Sequence, residues 1–503
     1  MTRPHQVVIV GGGTAGWMAA NLFAHHFADS PVELTLIESP DIGTVGVGEG
    51  STPTLKRFFE CLAIPEHEWM PACHATYKVN IRFDNWSPAS GTNSYSHPFI
   101  SQLDVHSERA FHVNCLTRRL GLDVTTTPDK FLFNGYLARH ALAPVTPPHF
   151  PFRMEYGYHF DSGKLGTFLK ERAIAQGIRY VQDNVAEVHQ HPDNSIASVL
   201  LESGQQIEGD LFIDCTGFRS LLLQQTLKVP FQSFSENLFN DAAVVIPTAP
   251  QPVVPVETRA TALSHGWAWQ IPLTHRTGNG YVYSSAYCDA TTAEHTLRQH
   301  LGLGESDADV RHLSMRVGQT QSQWAKNCLG LGLSQSFIEP LEATALHLVQ
   351  TGIELFLEHY HKGDLSDRYQ SEYNATMHER VERVRDYIVA HYKLNSRDDT
   401  AYWRDNRNNM ALSESLLQLL DVWFRKGDLV QEIKRQGLQA HFSTSSWHCL
   451  LAGYGAFPPI RADQPEKDAH QHDLFAQRNL AALFDGCRLN FRAHNKVLSG
   501  HSR

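Results

Sequence analysis

Apolar and polar positions fall into three regimes along the chain. A short apolar run, Val7–Val10, feeds a glycine turn, and Thr14–Phe27 continues as a helix-forming segment with few breakers. A second apolar strand, Leu34–Glu38, ends on an acid, so the chain opens with a βαβ pattern. Helical spacing over Lys164–Gln176 precedes a strand-rich middle: Ile178–Val188, Ser195–Leu201 and Leu211–Asp214, separated by Gly, Asp and Asn turns, then Trp267–Pro272 and Gly280–Ser284. From Thr344 the apolar period lengthens. Thr344–Tyr360, Asp367–Tyr392 and Ser413–Arg425 carry apolar residues every three or four positions, and Ser413-Glu414 is a helix start. The expected class is α/β with a mostly helical C-terminal region. A soft boundary near residue 340 separates residues 1–340 from residues 341–503, whose helices pack on the first part without forming a free domain.

Composition narrows the options. With 503 residues and 42% hydrophobic residues the chain can bury a sizeable core, and its net charge of −10 argues against a nucleic-acid partner. No stretch approaches a transmembrane span, and Val7–Val10 is too short for a signal segment, so no membrane partner and cytoplasmic residence are expected. The eight cysteines form no C-x-x-C pair and read as buried free thiols. The 29 histidines are scattered; His189 and His191, and His470 and His472 beside Asp473, lack metal-ligand spacing, so no metal is expected.

Gly11-Gly12-Gly13-Thr14-Ala15-Gly16 contains G-x-G-x-x-G between a strand and a helix. Its glycines permit a tight turn, approach of backbone to a pyrophosphate, and close helix–strand packing, while the helix N-terminus favours phosphate charge. Glu38 closes the second strand, where a ribose hydroxyl acceptor belongs. A dinucleotide site follows, but the motif alone does not separate NAD from FAD. Leu211–Gly217, an apolar strand ending in Asp and a small-residue turn, resembles a second strand-end of FAD monooxygenase folds. FAD is therefore the expected cofactor, on a Rossmann-like fold of the aromatic monooxygenase type.

Further segments resemble flavin-dependent tryptophan halogenases. Gly266-Trp267-Ala268-Trp269-Gln270-Ile271-Pro272 is similar to that family's W-x-W-x-I-P signature, Gly46–Thr52 to its glycine-rich flavin strap, and Phe337–Thr344 to the segment carrying its catalytic glutamate. Tyr77-Lys78 stands where the family carries its lysine, and His97-Pro98-Phe99 resembles its substrate-sandwiching residues. The match runs from the first strand to about residue 350, with weaker echoes to about residue 455. The resemblance implies that reduced FAD from a separate flavin reductase, O₂ and a halide (chloride or bromide) yield hypohalous acid. Lys78 then directs this acid to an indole or similar arene, and Glu342 polarises the oxidant or takes the ring proton, with Glu339 as a rival in the same segment. It further implies cofactor contacts from Gly11, Gly13, Thr14, Ala15, Gly16, Glu38, Gly48, Glu49, Gly50, Val185, Leu333 and Leu346. Halide binding falls to Thr344 and Ala345, substrate binding to His97, Pro98 and Phe99, and a flavin–substrate wall to Trp267 and Trp269. Substrate-site segments are inserted over about residues 75–160, and a homodimer is left open.

Two departures qualify the resemblance. The family's Glu-Ser-Thr-Gly is Glu342-Ala343-Thr344-Ala345 here, which puts halide preference in question and suggests bromide. The Tyr-Tyr pair and Glu that clamp the amino-acid end of free tryptophan are missing between Asp428 and Trp447, where Glu432 is the only acid after Asp428, and the family tryptophan near Phe442–Trp447 is absent or shifted. The expected substrate is an arene read without an amino-acid end. An FAD-dependent aromatic hydroxylase is the alternative; a flavin oxidase and a non-catalytic FAD protein have less support.

Overall fold

The computed structural model describes residues 3–43, 48–91, 93–304, 308–461 and 471–501. Gly46 and Val47 of the strap and His470 lie outside them. The chain forms two compact units, each assembled from three segments: 1–75, 160–235 and 315–382 in the first, and 76–159, 236–314 and 383–503 in the second. The division therefore interleaves the chain and does not fall at residue 340.

The first unit is built on a six-stranded sheet. His5–Val10 pairs in parallel with Val32–Glu38 on one side and Leu211–Asp214 on the other, and Arg179–Gln182 and Cys328–Gly330 extend it. Val7–Val10 is buried along its whole length, as a strand covered on both faces must be. The Thr14–His26 helix is apolar over most of its circumference and buries Trp17, Met18, Ala19 and Ala20. The apolar run Ile178–Val188 is not one strand. Arg179–Gln182 joins the parallel sheet, whereas Val185–Gln190 pairs antiparallel with Ile196–Leu201. The break falls at Asp183, whose carboxylate accepts from the Asn184 amide at 2.8 Å. After Thr344 the first unit is helical, with Ala345–Lys362 packing Phe356 and Tyr360 onto Trp324.

The second unit centres on a seven-stranded sheet, in the order Arg311–Ser314, Ala242–Val245, Thr277–Tyr283, Gly266–Pro272, Glu257–Leu263, Asn80–Asp84, Ser94–Pro98. The register places Trp269, Ala260, Phe83 and Tyr95 in one cross-strand row, and Thr258, Ile81 and His97 in another. Side chains alternate across a strand, so the two tryptophans and His97 share one face while Gln270, Arg259, Arg82 and Ser96 take the other. Helix Glu414–Phe424 starts as its sequence indicates: Ser413 Oγ accepts from the Leu416 amide at 3.1 Å.

All eight cysteines are free thiols, but Cys61 is exposed, because it ends the surface-facing side of helix Thr54–Cys61, and Cys215 and Cys487 are half-buried. Among the described residues no helix is long and apolar enough to cross a membrane, and no group of three or more His, Cys, Asp or Glu side chains is placed to hold a metal ion.

Candidate active site

In the first unit the glycine turn is shaped by contact. Gly11 has φ +114°, and a Cβ there would stand 2.2 Å from the Cys215 carbonyl oxygen; one on Gly16 would stand 2.0 Å from the Gly11 carbonyl oxygen. These two residues must be glycine for the turn to close against the Leu211–Asp214 strand end. A Cβ on Gly13 would meet nothing within 4 Å, so free space lies in front of the helix that begins at Thr14. The first amides of that helix have no partner within the helix, and the combination fits a pyrophosphate.

Glu38 is in place but not as a lone acceptor. Its Oε2 accepts from Lys170 Nζ at 2.9 Å and from the Tyr180 hydroxyl at 2.8 Å, while Oε1 lies beside Gly12. One oxygen is tied down and the other is turned toward the glycine turn, which fits a ribose hydroxyl there. Asp214 plays a different part from a ligand contact. It is fully buried, and it accepts from the amides of Thr216, Leu222 and Leu223 and from the hydroxyls of Thr216 and Ser334, bracing the turn behind the cofactor position.

Of the other cofactor candidates, Gly48 takes φ +81°, and Glu49 and Gly50 form a short strand. Desolvation raises the Glu49 carboxyl to about 7, with a hydrogen bond from Ser162 acting the other way and the Asp161 charge adding to the rise. Gly332 approaches so near Ala15 that a Cβ would stand 3.0 Å from the alanine Cβ, which brings the Leu333 segment to the start of the Thr14–His26 helix. Val185 packs on the core cluster of Val8, Ile37 and Phe212. Leu346 is the second residue of the Ala345–Lys362 helix.

Glu342 and Glu339 are both buried on the turn leading into that helix. Thr344 precedes the first helical residue, Ala345, so the amides opening an 18-residue helix lie where halide binding was expected. The missing family glycine has no backbone consequence, because Ala345 is helical. The left-handed residue is Ala343, at φ +56°.

The second unit holds Lys78, the tryptophans and the aromatic triplet. Lys78 is fully buried on strand Thr76–Lys78, and its Nζ stands 5.5 Å from the centre of the Phe99 ring, within cation–π range. Trp267 and Trp269 are buried with ring centres 6.2 Å apart. Trp269 lies flat over Gly280, where a Cβ would stand 2.1 Å from its Cζ2.

His97 faces rings whose place beside it the sequence did not indicate. Tyr387 and Phe442 stack at 3.6 Å with 5° between their planes, and their centres lie 5.8 and 6.4 Å from the His97 ring. Trp447 meets Tyr387 edge-on at 4.8 Å. The Tyr387 hydroxyl donates to the Ser446 carbonyl at 2.9 Å, which fixes its plane. Tyr387 is hidden in the sequence because it reads as one apolar position of a long helix. Only the aromatic content of the Phe442–Trp447 segment could have signalled the rest.

The glycine turn of the first unit fits a dinucleotide, and the buried lysine and the tryptophan strand of the second fit the flavin-dependent class. The family model for tryptophan halogenase matches residues 6–470. Tryptophan 6-halogenase SttH from Streptomyces toxytricini is 37% identical over 446 residues, 84% of each chain, and 7-chloro-L-tryptophan 6-halogenase KtzR from Kutzneria sp. (strain 744) is 35% identical over 510 residues, 95% of each chain. Among solved structures, BrvH, a flavin-dependent halogenase from Brevundimonas sp. BAL3, superposes with a TM-score of 0.83 at 31% identity over 99% of both chains. The chain belongs to the tryptophan halogenase family and is a flavin-dependent halogenase. The aromatic hydroxylase alternative is not favoured.

Proposed function

We propose that this halogenase acts on indole or a similarly electron-rich arene and does not read an amino-acid end. The observation that carries the reading is the fate of the acids between Asp428 and Trp447. Asp428 caps its helix by accepting from the Gln431 amide at 3.1 Å, and Glu432 accepts from Arg435 and Gln436. Both carboxylates are thus engaged within their own helix, and no Tyr-Tyr pair accompanies them. The relatives named as tryptophan halogenases support an indole ring, and the Tyr387–Phe442 stack beside His97 suits a flat aromatic guest.

When bound, FAD supplied reduced by a separate flavin reductase would activate O₂, and O₂ would be the oxidant that converts halide to hypohalous acid, its second oxygen leaving as water. The chain's own residues do the rest. The turn from Gly11 to Gly16 and Glu38 hold the dinucleotide, with Gly48, Glu49, Gly50, Val185, Leu333 and Leu346 as further contacts. The amides at Thr344 and Ala345 hold the halide. With Ala343 in place of a hydroxyl-bearing serine, fewer donors compete with water, which favours bromide, the less strongly hydrated ion. Trp267 and Trp269 keep the arene from the flavin, so only a small oxidant reaches it. Lys78 holds hypohalous acid by a hydrogen bond and aims it at the ring, and Glu342 takes the ring proton. Pro98 and Phe99 complete the arene's surroundings with His97.

The test is a reaction of purified enzyme with a flavin reductase, O₂ and either bromide or chloride at matched concentration. Indole and free tryptophan are compared in wild type and in Lys78→Ala. Halogenated indole that outpaces halogenated tryptophan, and disappears in Lys78→Ala, supports the reading. Equal rates on tryptophan remove the substrate assignment, equal halide yields remove the bromide preference, and an active Lys78→Ala removes the lysine's role.

A further inference from the structure

The strand carrying Lys78 is held by a chain of side chains that no motif announced. Thr76 lies two residues before Lys78 on the same face of the strand, and the antiparallel register sets Thr76 opposite His159 and Lys78 opposite Gly157. Thr76 and His159 are fully buried, and Gly157 presents no side chain against the lysine.

The hydrogen bonds fix the protonation of His159. The Thr76 hydroxyl donates to the Pro272 carbonyl at 2.7 Å and lies 3.1 Å from His159 Nδ1. A hydroxyl has one proton, and this one is given to Pro272, so His159 Nδ1 carries a hydrogen and donates to Thr76 Oγ1. His159 Nε2 is then the acceptor for the Thr258 hydroxyl at 2.9 Å. Burial, and then the charge of Lys78, hold the imidazole well below its ordinary range, which agrees with a neutral ring satisfied at both nitrogens. Pro272 ends the tryptophan strand, and Thr258 lies on the strand paired with it. A second tie runs alongside, the Val79 amide donating to the Val256 carbonyl at 2.8 Å.

We propose that Thr76, His159 and Thr258 are positioning residues that fix the lysine strand against the tryptophan strand, and so set the place of Lys78 Nζ over Phe99. The inference rests on Lys78 being the residue that holds hypohalous acid. A group that aims a small oxidant is sensitive to displacement, since about 1 Å can cost on the order of a hundredfold in rate. Loosening the chain lets oxidant pass the lysine and escape, while arene binding is unaffected.

The test uses the full-length enzyme with FAD, a flavin reductase, O₂, bromide and indole. Two outputs are followed: bromoindole formation, and bromination of a soluble trap that reacts with escaped hypobromous acid. Thr76→Val keeps the shape and removes the hydroxyl. Its expected effect is a fall in kcat of about tenfold or more with KM for indole within about twofold, and a several-fold rise in the ratio of trapped to ring bromine. Thr76→Ser restores the hydroxyl and the wild-type ratio. If Thr76→Val does not fold, Thr258→Val cuts the chain at its other end and carries the same expectation. A folded valine variant with the wild-type ratio, or Thr76→Ser as impaired as Thr76→Val, overturns the proposal. Lys78→Ala separates the two ideas. An active Lys78→Ala overturns the lysine reading, whereas an inactive Lys78→Ala with wild-type behaviour in both valine variants overturns the positioning chain alone.

Discussion

Gly12 lies so close to Glu38 that a Cβ at residue 12 would stand 2.3 Å from Glu38 Oε1, while a Cβ on neighbouring Gly13 would meet nothing within 4 Å. The carboxylate cannot swing aside freely, because Lys170 and Tyr180 hold its other oxygen. Alanine at the two positions therefore has separable effects. Gly13→Ala, at φ −74° and ψ 179°, is allowed by the backbone and leaves the melting temperature of the FAD-free protein unchanged. It weakens FAD binding by about tenfold or more, because the methyl group takes space meant for phosphate. Gly12→Ala lowers both stability and FAD affinity. Fluorescence titration of FAD and thermal melts of the FAD-free variants measure the two effects, and a Gly13→Ala protein with wild-type affinity would mean that the phosphates lie elsewhere.

A similar close approach fixes the tryptophan strand. Trp269 covers Gly280 with a rigid ring, and a Cβ at residue 280 would stand 2.1 Å from Cζ2 and 2.2 Å from Cη2. A ring cannot give way as a chain end can, so Gly280→Ala must tilt Trp269 out of place, at a cost of about 1–3 kcal/mol. Thermal unfolding should move down, and tryptophan emission should shift as Trp269 leaves its buried site. An alanine variant with unchanged Tm and emission would show that the ring has room to move.

The elements most readable in the sequence were those set by local pattern. The strand at Val7–Val10, the glycine turn and Glu38 follow one another within a single βαβ unit, and each is specified by residues close by. The interleaving of two units was not readable, because segments such as 76–159 and 236–314 meet only through pairings like Glu257 with Asn80, which periodicity does not encode. Lys78, the tryptophans and His97 stood out through likeness to family motifs. Tyr387, Phe442, His159 and the Lys170–Tyr180 hold on Glu38 did not, since each is an ordinary apolar, aromatic or charged position until the fold brings its partner near.

Buried histidine makes stability depend on pH in a defined direction. His494 is buried, its Nδ1 donates to the Val254 carbonyl at 2.9 Å, and desolvation lowers it from 6.5 to about 4. The unfolded chain therefore takes up a proton near pH 6.5 while the folded chain resists until near pH 4, so the contribution present at neutral pH is lost as pH falls through that window. The shift corresponds to about 3 kcal/mol. Asp104 and Glu49, raised to about 7 by burial, act in the opposite sense, since the folded state takes up their protons first on acidification. The informative quantity is thus the difference between wild type and His494→Gln. Denaturant unfolding from pH 7 to pH 4 should show the wild type losing stability relative to the variant; a constant difference would mean that His494 does not titrate between the two states.

The aromatic group around His97 can be tested for a part in binding as distinct from chemistry. Phe442 is stacked on Tyr387, and Tyr387 is anchored through its hydroxyl to the Ser446 carbonyl, so the tyrosine stays in place when its partner changes. Phe442→Leu keeps most of the volume and removes the flat face. If these rings receive the arene, the loss of aromatic contact, on the order of 1 kcal/mol, raises KM for indole roughly five- to tenfold. Because the substitution lies off the Thr76–Lys78 strand, kcat should stay within about twofold, the pattern of lost uniform binding. Steady-state kinetics with indole as the varied substrate separate the cases. A variant with unchanged KM and a large fall in kcat would place Phe442 with the residues that aim the oxidant, and the arene's seat would have to be sought on another face of the second unit.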